Sequence, residues 1–157
     1  DILSGMLNAI AAVALRVPVL FAMHPRTRKN IEKFQLEDFL TSPNLFITSP
    51  VGYLDSVTLM SSAIAVLTDS GGMQEETTAL GVPCITMREN TERWITVTEG
   101  TNTIVGCDPE KILTEIDSVL AGNSKSGCCP SLWDGQAAKR IAVETENWLK
   151  AGNHALK

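Results

Sequence analysis

Ala63-Ile64-Ala65-Val66-Leu67-Thr68-Asp69-Ser70-Gly71-Gly72-Met73-Gln74-Glu75-Glu76 decides the fold. Ala63 to Leu67 is apolar without alternation, as suits a parallel strand buried on both faces. The chain then turns through small residues, and a helix is expected from Met73 to Leu80, stopped by Gly81. A buried strand that runs through a tight turn into a helix is the repeating unit of an α/β sheet.

The rest of the sequence repeats that unit. Leu3, Met6, Leu7, Ile10 and Val13 mark one face of a helix capped by Asp1. Strands are expected at Val17 to Ala22, Leu45 to Thr48, Val82 to Met87 and Asn102 to Val105. Helices are expected around Lys29 to Phe39 and Tyr53 to Ser61. Asp108-Pro109-Glu110 opens another helix, with proline at the first helical position, carrying Ile112, Leu113, Ile116, Val119 and Leu120. Residues 122–134 read as a loop. A last helix follows Asp134, with Ala137, Ala138, Ile141, Ala142 and Trp148 or Leu149 on its apolar face. Short strands alternating with helices predict a doubly wound, mostly parallel Rossmann-like sheet.

Composition narrows the function. The chain has 157 residues, 44% of them hydrophobic, and a formal net charge of -5. One domain of this size buries roughly two thirds of the surface of its unfolded form. With no Lys/Arg-rich stripe, binding to nucleic acid or to a membrane surface is disfavoured. Ala9 to Val19, interrupted by Arg16 and Pro18, is too short to span a bilayer. Cys84, Cys107, Cys128 and Cys129 lack CxxC spacing and read as reduced cytosolic thiols. No grouping of His, Cys and acidic residues has metal-site spacing, so neither a metal nor a cofactor is expected. His154 lies near the C-terminus and is expected to be neither ligand nor catalyst.

Three segments that follow predicted strands carry the candidate chemistry. At Asp69-Ser70-Gly71-Gly72, helix N–H groups and the helix dipole make an anion cradle, to which Ser70 adds a hydroxyl; a helix cap with a tight glycine turn is the alternative local reading. Glu75 and Glu76 are expected in the first helical turn, either favoured there by the dipole or accepting hydrogen bonds from a ribose diol. His24-Pro25-Arg26 offers a histidine able to donate a hydrogen bond or proton and an arginine suited to a diphosphate. Arg88-Glu89-Asn90-Thr91-Glu92-Arg93 holds two arginines able to bracket a phosphoryl group, or forms a solvated charged turn. Because all three segments follow strands, they are expected to open into one crevice. There is no GxGxxG or GxxxxGK[ST] pattern.

Met23-His-Pro-Arg-Thr, Ser49-Pro-Val-Gly-Tyr-Leu-Asp, the run from Thr68 to Arg93, Glu99-Gly-Thr-Asn-Thr-Ile-Val-Gly and Trp133-Asp-Gly-Gln-Ala-Ala-Lys-Arg-Ile occur in order along nearly the whole chain. Together they resemble the C-terminal domain of the non-hydrolysing UDP-N-acetylglucosamine 2-epimerases. The resemblance implies a glycosyltransferase-B-like arrangement of two Rossmann-like domains, with residues 1–157 as a partial C-terminal, UDP-binding one. It implies that Ser70, Gly71 and Gly72 hold the diphosphate, Glu76 the ribose and the backbone from Val51 to Tyr53 the uracil. His24, the one catalytic candidate, would lie near phosphate and sugar, with Arg26 beside it. Arg88, Thr91 and Arg93 would line the cleft.

The implied reaction inverts C2 by anti elimination of UDP to an enzyme-bound 2-acetamidoglucal and re-addition of UDP to the opposite face. UDP-N-acetylglucosamine or UDP is the implied partner, a homodimer the implied full-length assembly, the cytoplasm the implied location and cell-surface polysaccharide biosynthesis the implied setting. The acidic residues that would move the C2 proton belong to the family's N-terminal domain. That domain is expected to be missing here, as is the first strand of the C-terminal domain. Trp94 stands where many relatives have proline. A UDP-sugar-binding module or glycosyltransferase-like protein without epimerase activity is the competing expectation.

Overall fold

The computed structural model describes residues 2–151. Asp1 and His154, both named in the sequence reading, lie outside that range.

Helix α1 (Ile2–Ala14) leads to β1 (Val19–Ala22), α2 (Pro25–Phe34), a 3-10 turn (Glu37–Leu40), β2 (Leu45–Thr48) and α3 (Tyr53–Ser61). After them come β3 (Val66–Thr68), α4 (Gly71–Leu80), β4 (Cys84–Thr86), α5 (Trp94–Thr98), β5 (Asn102–Ile104), α6 (Pro109–Leu120) and α7 (Ala137–Lys150). Among the described residues every strand pairing is parallel, and helices flank the strands, as in a Rossmann-like or glycosyltransferase-B-type fold.

The strands form two hydrogen-bonded groups, not one continuous sheet: β1-β2, and β3-β4-β5 in that order. Val19 pairs with Leu45 in the first, and Val66 with Cys84 and Cys84 with Asn102 in the second. One apolar cluster spans both groups. Ala9 and Val13 of α1 join Ile85 of β4, Val105, and Ile112, Ile116 and Val119 of α6, with Val19 and Leu67 packed against them. Gly5 allows α1 to meet the start of α6, since a Cβ there would stand 2.9 Å from Cγ of Pro109. Leu7, Met23 and Ile31 fill a second cluster between α1, β1 and α2.

Expected boundaries shift for identifiable reasons. Helix α2 starts at Pro25, not near Lys29, because His24 caps it and proline takes its first position. It ends early because Gln35 adopts a left-handed conformation, φ 54°, and the chain restarts as a separate 3-10 turn. Helix α4 begins at Gly71, not Met73, so Glu75 and Glu76 fall outside its first turn, contrary to expectation. It stops as expected at Gly81, whose φ of 71° suits glycine. Helix α5 was not anticipated.

The strand expected from Ala63 to Leu67 is shorter, Val66–Thr68, and the expected burial on both faces fails for the start of that run, where Ile64 is 60% exposed. Such burial holds for β4, all three of whose residues are buried. It fails for β1 and β2. Leu20 is 48% and Phe46 55% exposed, because the clusters cover only the face bearing Val19, Phe21, Leu45 and Ile47. Helix α7 likewise has no buried residue, its apolar side having no covering element among the described residues.

Candidate functional site

The end of β3 builds the centre of the site. Thr68 Oγ accepts a hydrogen bond from the Ser70 amide at 3.0 Å, which turns the chain sharply between strand and helix. Ser70 is the N-cap of α4, yet its hydroxyl makes no capping bond. The first-turn amides point out of the helix end together with the positive end of its dipole.

Gly71 and Gly72 lack positive φ values, so conformational freedom is not their purpose. Space is. A Cβ on Gly72 would have only the Ser70 hydroxyl oxygen near it, at 3.9 Å, while one on Gly71 would sit 3.7 Å from Arg93 Nε. Bare backbone therefore faces outward beneath an arginine, an arrangement able to bind an anion through amides, a hydroxyl and a guanidinium.

Arg93 comes from the segment after β4. Its Nε lies 3.2 Å from Glu75 Oε1, an ion pair between half-exposed side chains. Arg88 instead pairs with Glu92 at 3.4 Å. An amide hydrogen bond, and next the charge of Arg88, hold the Glu92 carboxyl below its ordinary pKa. The two arginines thus pair with carboxylates of different elements, Arg93 with Glu75 on α4 and Arg88 with Glu92 in its own loop. Trp94, first residue of α5, is exposed, and Arg93 is that helix's N-cap.

Thr91 is buried, and its hydroxyl is engaged inside the protein. It donates to Gln74 Oε1 at 2.7 Å and accepts from the Arg93 amide at 3.0 Å. Gln74, fully buried on α4, also accepts from Asn102 Nδ2 at 3.1 Å. Neither Gln74 nor Asn102 was singled out in the sequence, since a glutamine beside two glutamates on a helix reads as a solvated position. Glu76, with Glu75, Ala79 and Trp133, lines an open surface depression. Trp133 falls within a quoted family motif but was not among the expected site residues.

His24 and Arg26 stand at the end of β1. The ring Nδ1 of His24 accepts a hydrogen bond from the Arg26 amide at 3.1 Å, capping α2 and leaving Nε2 as the outward donor. Val51 and Tyr53 follow β2, with Tyr53 exposed at the first position of α3. Because the strands within each group are parallel, His24 and Tyr53 follow the carboxyl ends of one group, and Ser70 and Arg88 those of the other. Among the described residues no hydrogen bond or ion pair joins His24 or Arg26 to the cradle of Ser70, Gly71, Gly72 and Arg93.

No group of His, Cys, Asp and Glu suited to a metal is found among the described residues. None of the described helices is long and apolar enough to cross a membrane. All four cysteines are free thiols.

A family model described as UDP-N-acetylglucosamine 2-epimerase matches residues 1–145. The chain belongs to the non-hydrolysing UDP-N-acetylglucosamine 2-epimerase family. A UDP-N-acetylglucosamine 2-epimerase of Methanocaldococcus jannaschii is 43% identical over 124 residues, 78% of this chain and 33% of that protein. The UDP-2,3-diacetamido-2,3-dideoxy-D-glucuronate 2-epimerase of Pseudomonas aeruginosa is 36% identical over 141 residues, covering 89% of this chain and 38% of its own length. The crystal structure of the M. jannaschii epimerase in complex with UDP-GlcNAc and UDP superposes with a TM-score of 0.77 at 38% identity, over 91% of this chain and 39% of that one. This epimerase-family chain therefore spans about a third of the length of the curated relatives it matches.

Proposed function

We propose that this chain is the C-terminal, UDP-binding domain of an enzyme that interconverts UDP-N-acetylglucosamine and UDP-N-acetylmannosamine. The observation that carries the reading is the bare N-terminus of α4, with an uncommitted Ser70 hydroxyl and Arg93 lying over Gly71. The M. jannaschii relative, solved with UDP-GlcNAc and UDP, gives the anion its chemical class.

In this reading Ser70 and the amides of Gly71 and Gly72 hold the diphosphate, and Arg93 exchanges Glu75 for a phosphoryl oxygen. Glu76 accepts hydrogen bonds from the ribose diol beside Trp133, and the backbone from Val51 to Tyr53 meets the uracil. His24, its Nε2 facing outward, donates toward the phosphate and sugar, and Arg26 and Arg88 add positive charge at the rim. Thr91 serves the site through the Arg93 backbone.

The reaction eliminates UDP anti to the C2 proton, and because only C2 is inverted, UDP then returns to the face of C1 that it left while the proton is delivered to the opposite face of C2 in the resulting 2-acetamidoglucal. Elimination builds charge on the diphosphate as the C1–O bond breaks, re-addition consumes it as that bond re-forms, and the oriented donors of the cradle stabilise the charge on the way in both directions. Removal and return of the C2 proton fall to acidic residues of an N-terminal domain. That domain closes the cleft in a full-length homodimer, and a strand from a preceding segment joins β1 to β3. The P. aeruginosa relative acts on a different UDP-sugar, so sugar choice is assigned to that other domain.

Calorimetric titration of UDP into the chain, beside a Ser70→Ala/Glu76→Ala variant, tests the assignment. Saturable 1:1 binding that is lost in the variant supports it. A folded sample that leaves millimolar UDP unbound overturns it for this chain. Binding without epimerisation by the full-length enzyme favours a UDP-sugar-binding module instead.

A further inference from the structure

The peptide groups on both sides of Arg93 are held by buried hydroxyls. Its amide donates to Thr91 Oγ at 3.0 Å, and its carbonyl accepts from Thr96 Oγ at 2.7 Å. Both hydroxyls are tied to one amide pair. Thr91 donates to Gln74 Oε1 at 2.7 Å, and Thr96 accepts from Asn102 Nδ2 at 3.0 Å. Asn102 closes the loop by donating to Gln74 at 3.1 Å.

This clamp is internal to the protein. Gln74 and Asn102 are fully buried, as is Thr96, and Thr91 is 4% exposed. Gln74 Oε1 takes both bonds while its Nε2 is buried without a partner, so displacing either bond strands a further polar atom away from water. The backbone of Arg93 therefore inherits the rigidity of α4 and β5, while only its side chain reaches the surface. Gln74 is on the same helix whose N-terminus forms the cradle, three residues beyond Gly71. One helix thus offers the amides and, from its buried side, sets the arginine above them.

We infer that Gln74 is a positioning residue for the diphosphate: acting through Thr91 directly and through Asn102 and Thr96, it fixes Arg93 over the α4 N-terminus. The inference rests on the UDP reading of the cradle. It assigns function to a side chain that never meets ligand, and it separates Arg93, which is held on both sides, from Arg88, whose side chain has only the Glu92 pair among the described residues.

The test is a double-mutant cycle on UDP affinity, measured by calorimetry with thermal melts run alongside. Thr91→Val keeps the side-chain volume and removes the hydroxyl, Gln74→Met removes the amide, and Thr91→Ser restores the hydroxyl. Thr91→Val and Gln74→Met are expected to weaken UDP binding about 10-fold, the low end for a hydrogen bond to a charged group. Combined with Arg93→Ala, either is expected to cost less than about 2-fold more, while Thr91→Ser stays within about 2-fold of the parent. Should Gln74→Met fail to fold, the Thr91 pair carries the test alone.

Loss of melting temperature with unchanged UDP affinity overturns the inference and leaves a purely structural clamp. So does an equal affinity loss with or without Arg93. If Arg93→Ala itself leaves affinity unchanged, this inference fails while the cradle stands. If the parent chain binds no UDP, the functional reading fails and takes the inference with it.

Discussion

Replacing Asn102 should expose how much stability the buried polar network holds. Its Nδ2 donates to Gln74 and Thr96 at 3.1 and 3.0 Å, and its Oδ1 accepts from Thr86 at 2.6 Å, with no part of the side chain exposed. Asn102→Leu removes all three bonds and leaves the Thr86 hydroxyl, beyond reach of water, with only a long contact to Cys84 Sγ at 3.9 Å. Gln74 keeps Thr91 as a donor, and Thr96 still donates to the Arg93 carbonyl. At about 1 kcal/mol for each lost bond, with about 1–3 kcal/mol more for the stranded hydroxyl, the cost is about 4–6 kcal/mol. For a chain of this length that corresponds to roughly 8–24 °C in melting temperature. Urea unfolding is the better assay, since a lower midpoint at unchanged m-value reports stability alone.

Asn102→Asp sharpens the test. It keeps the shape but turns a donor into an acceptor facing the Gln74 oxygen, and burial raises the new carboxyl's pKa above its unfolded value near 3.9. A carboxyl raised in the folded state binds its proton more tightly there than in the unfolded chain. Its penalty is therefore smallest at acid pH and grows as pH rises through the unfolded value toward the folded one. The deficit relative to the parent should be larger at pH 8 than at pH 4.5. A cost below about 1 kcal/mol for Asn102→Leu, or a deficit for Asn102→Asp that shrinks as pH rises, would refute this account of the network.

Gly72→Ala separates stability from binding: the new methyl meets nothing closer than the Ser70 hydroxyl oxygen at 3.9 Å, and alanine favours a helix over glycine by up to about 1 kcal/mol. The melting temperature should hold or rise while UDP binding weakens, and a destabilised variant would show that the glycine serves the backbone instead. Cys84, buried and with its thiol pushed above the ordinary pKa by desolvation, should react with an aromatic disulfide reagent only on unfolding, whereas the exposed Cys128 and Cys129 react in the native protein. Rapid native labelling of three or more thiols that include Cys84 would contradict its placement in β4.

Elements whose signals are local were read well. Asp108 caps α6 through the Glu110 amide, as its Asp-Pro-Glu start implied, and β2, α3 and β5 begin where expected. Gly81 ends α4 because only glycine takes its left-handed conformation without strain. The start of α2 was available in His24-Pro25, a cap followed by a proline, but its end was not. Gln35 carries the left-handed turn there, and no residue-type signal marks it. Helix α5 was hidden because Trp94 to Thr98 is rich in β-branched and aromatic residues that favour strands, and packing overrides that preference.

The amino-acid sequence by itself determined the alternation of strand and helix, the turn from β3 into α4 and the family, because periodicity, caps and motifs are carried by neighbouring residues. Only the tertiary structure decided that the strands form two groups, that Glu75 rather than a first-turn dipole meets Arg93, and that Thr91 faces inward. The Gln74 clamp joins positions 17 and 28 residues apart in the chain. A polar side chain carries no local mark of whether it will meet water or another polar group, so its role exists only once folding has brought its partner to it.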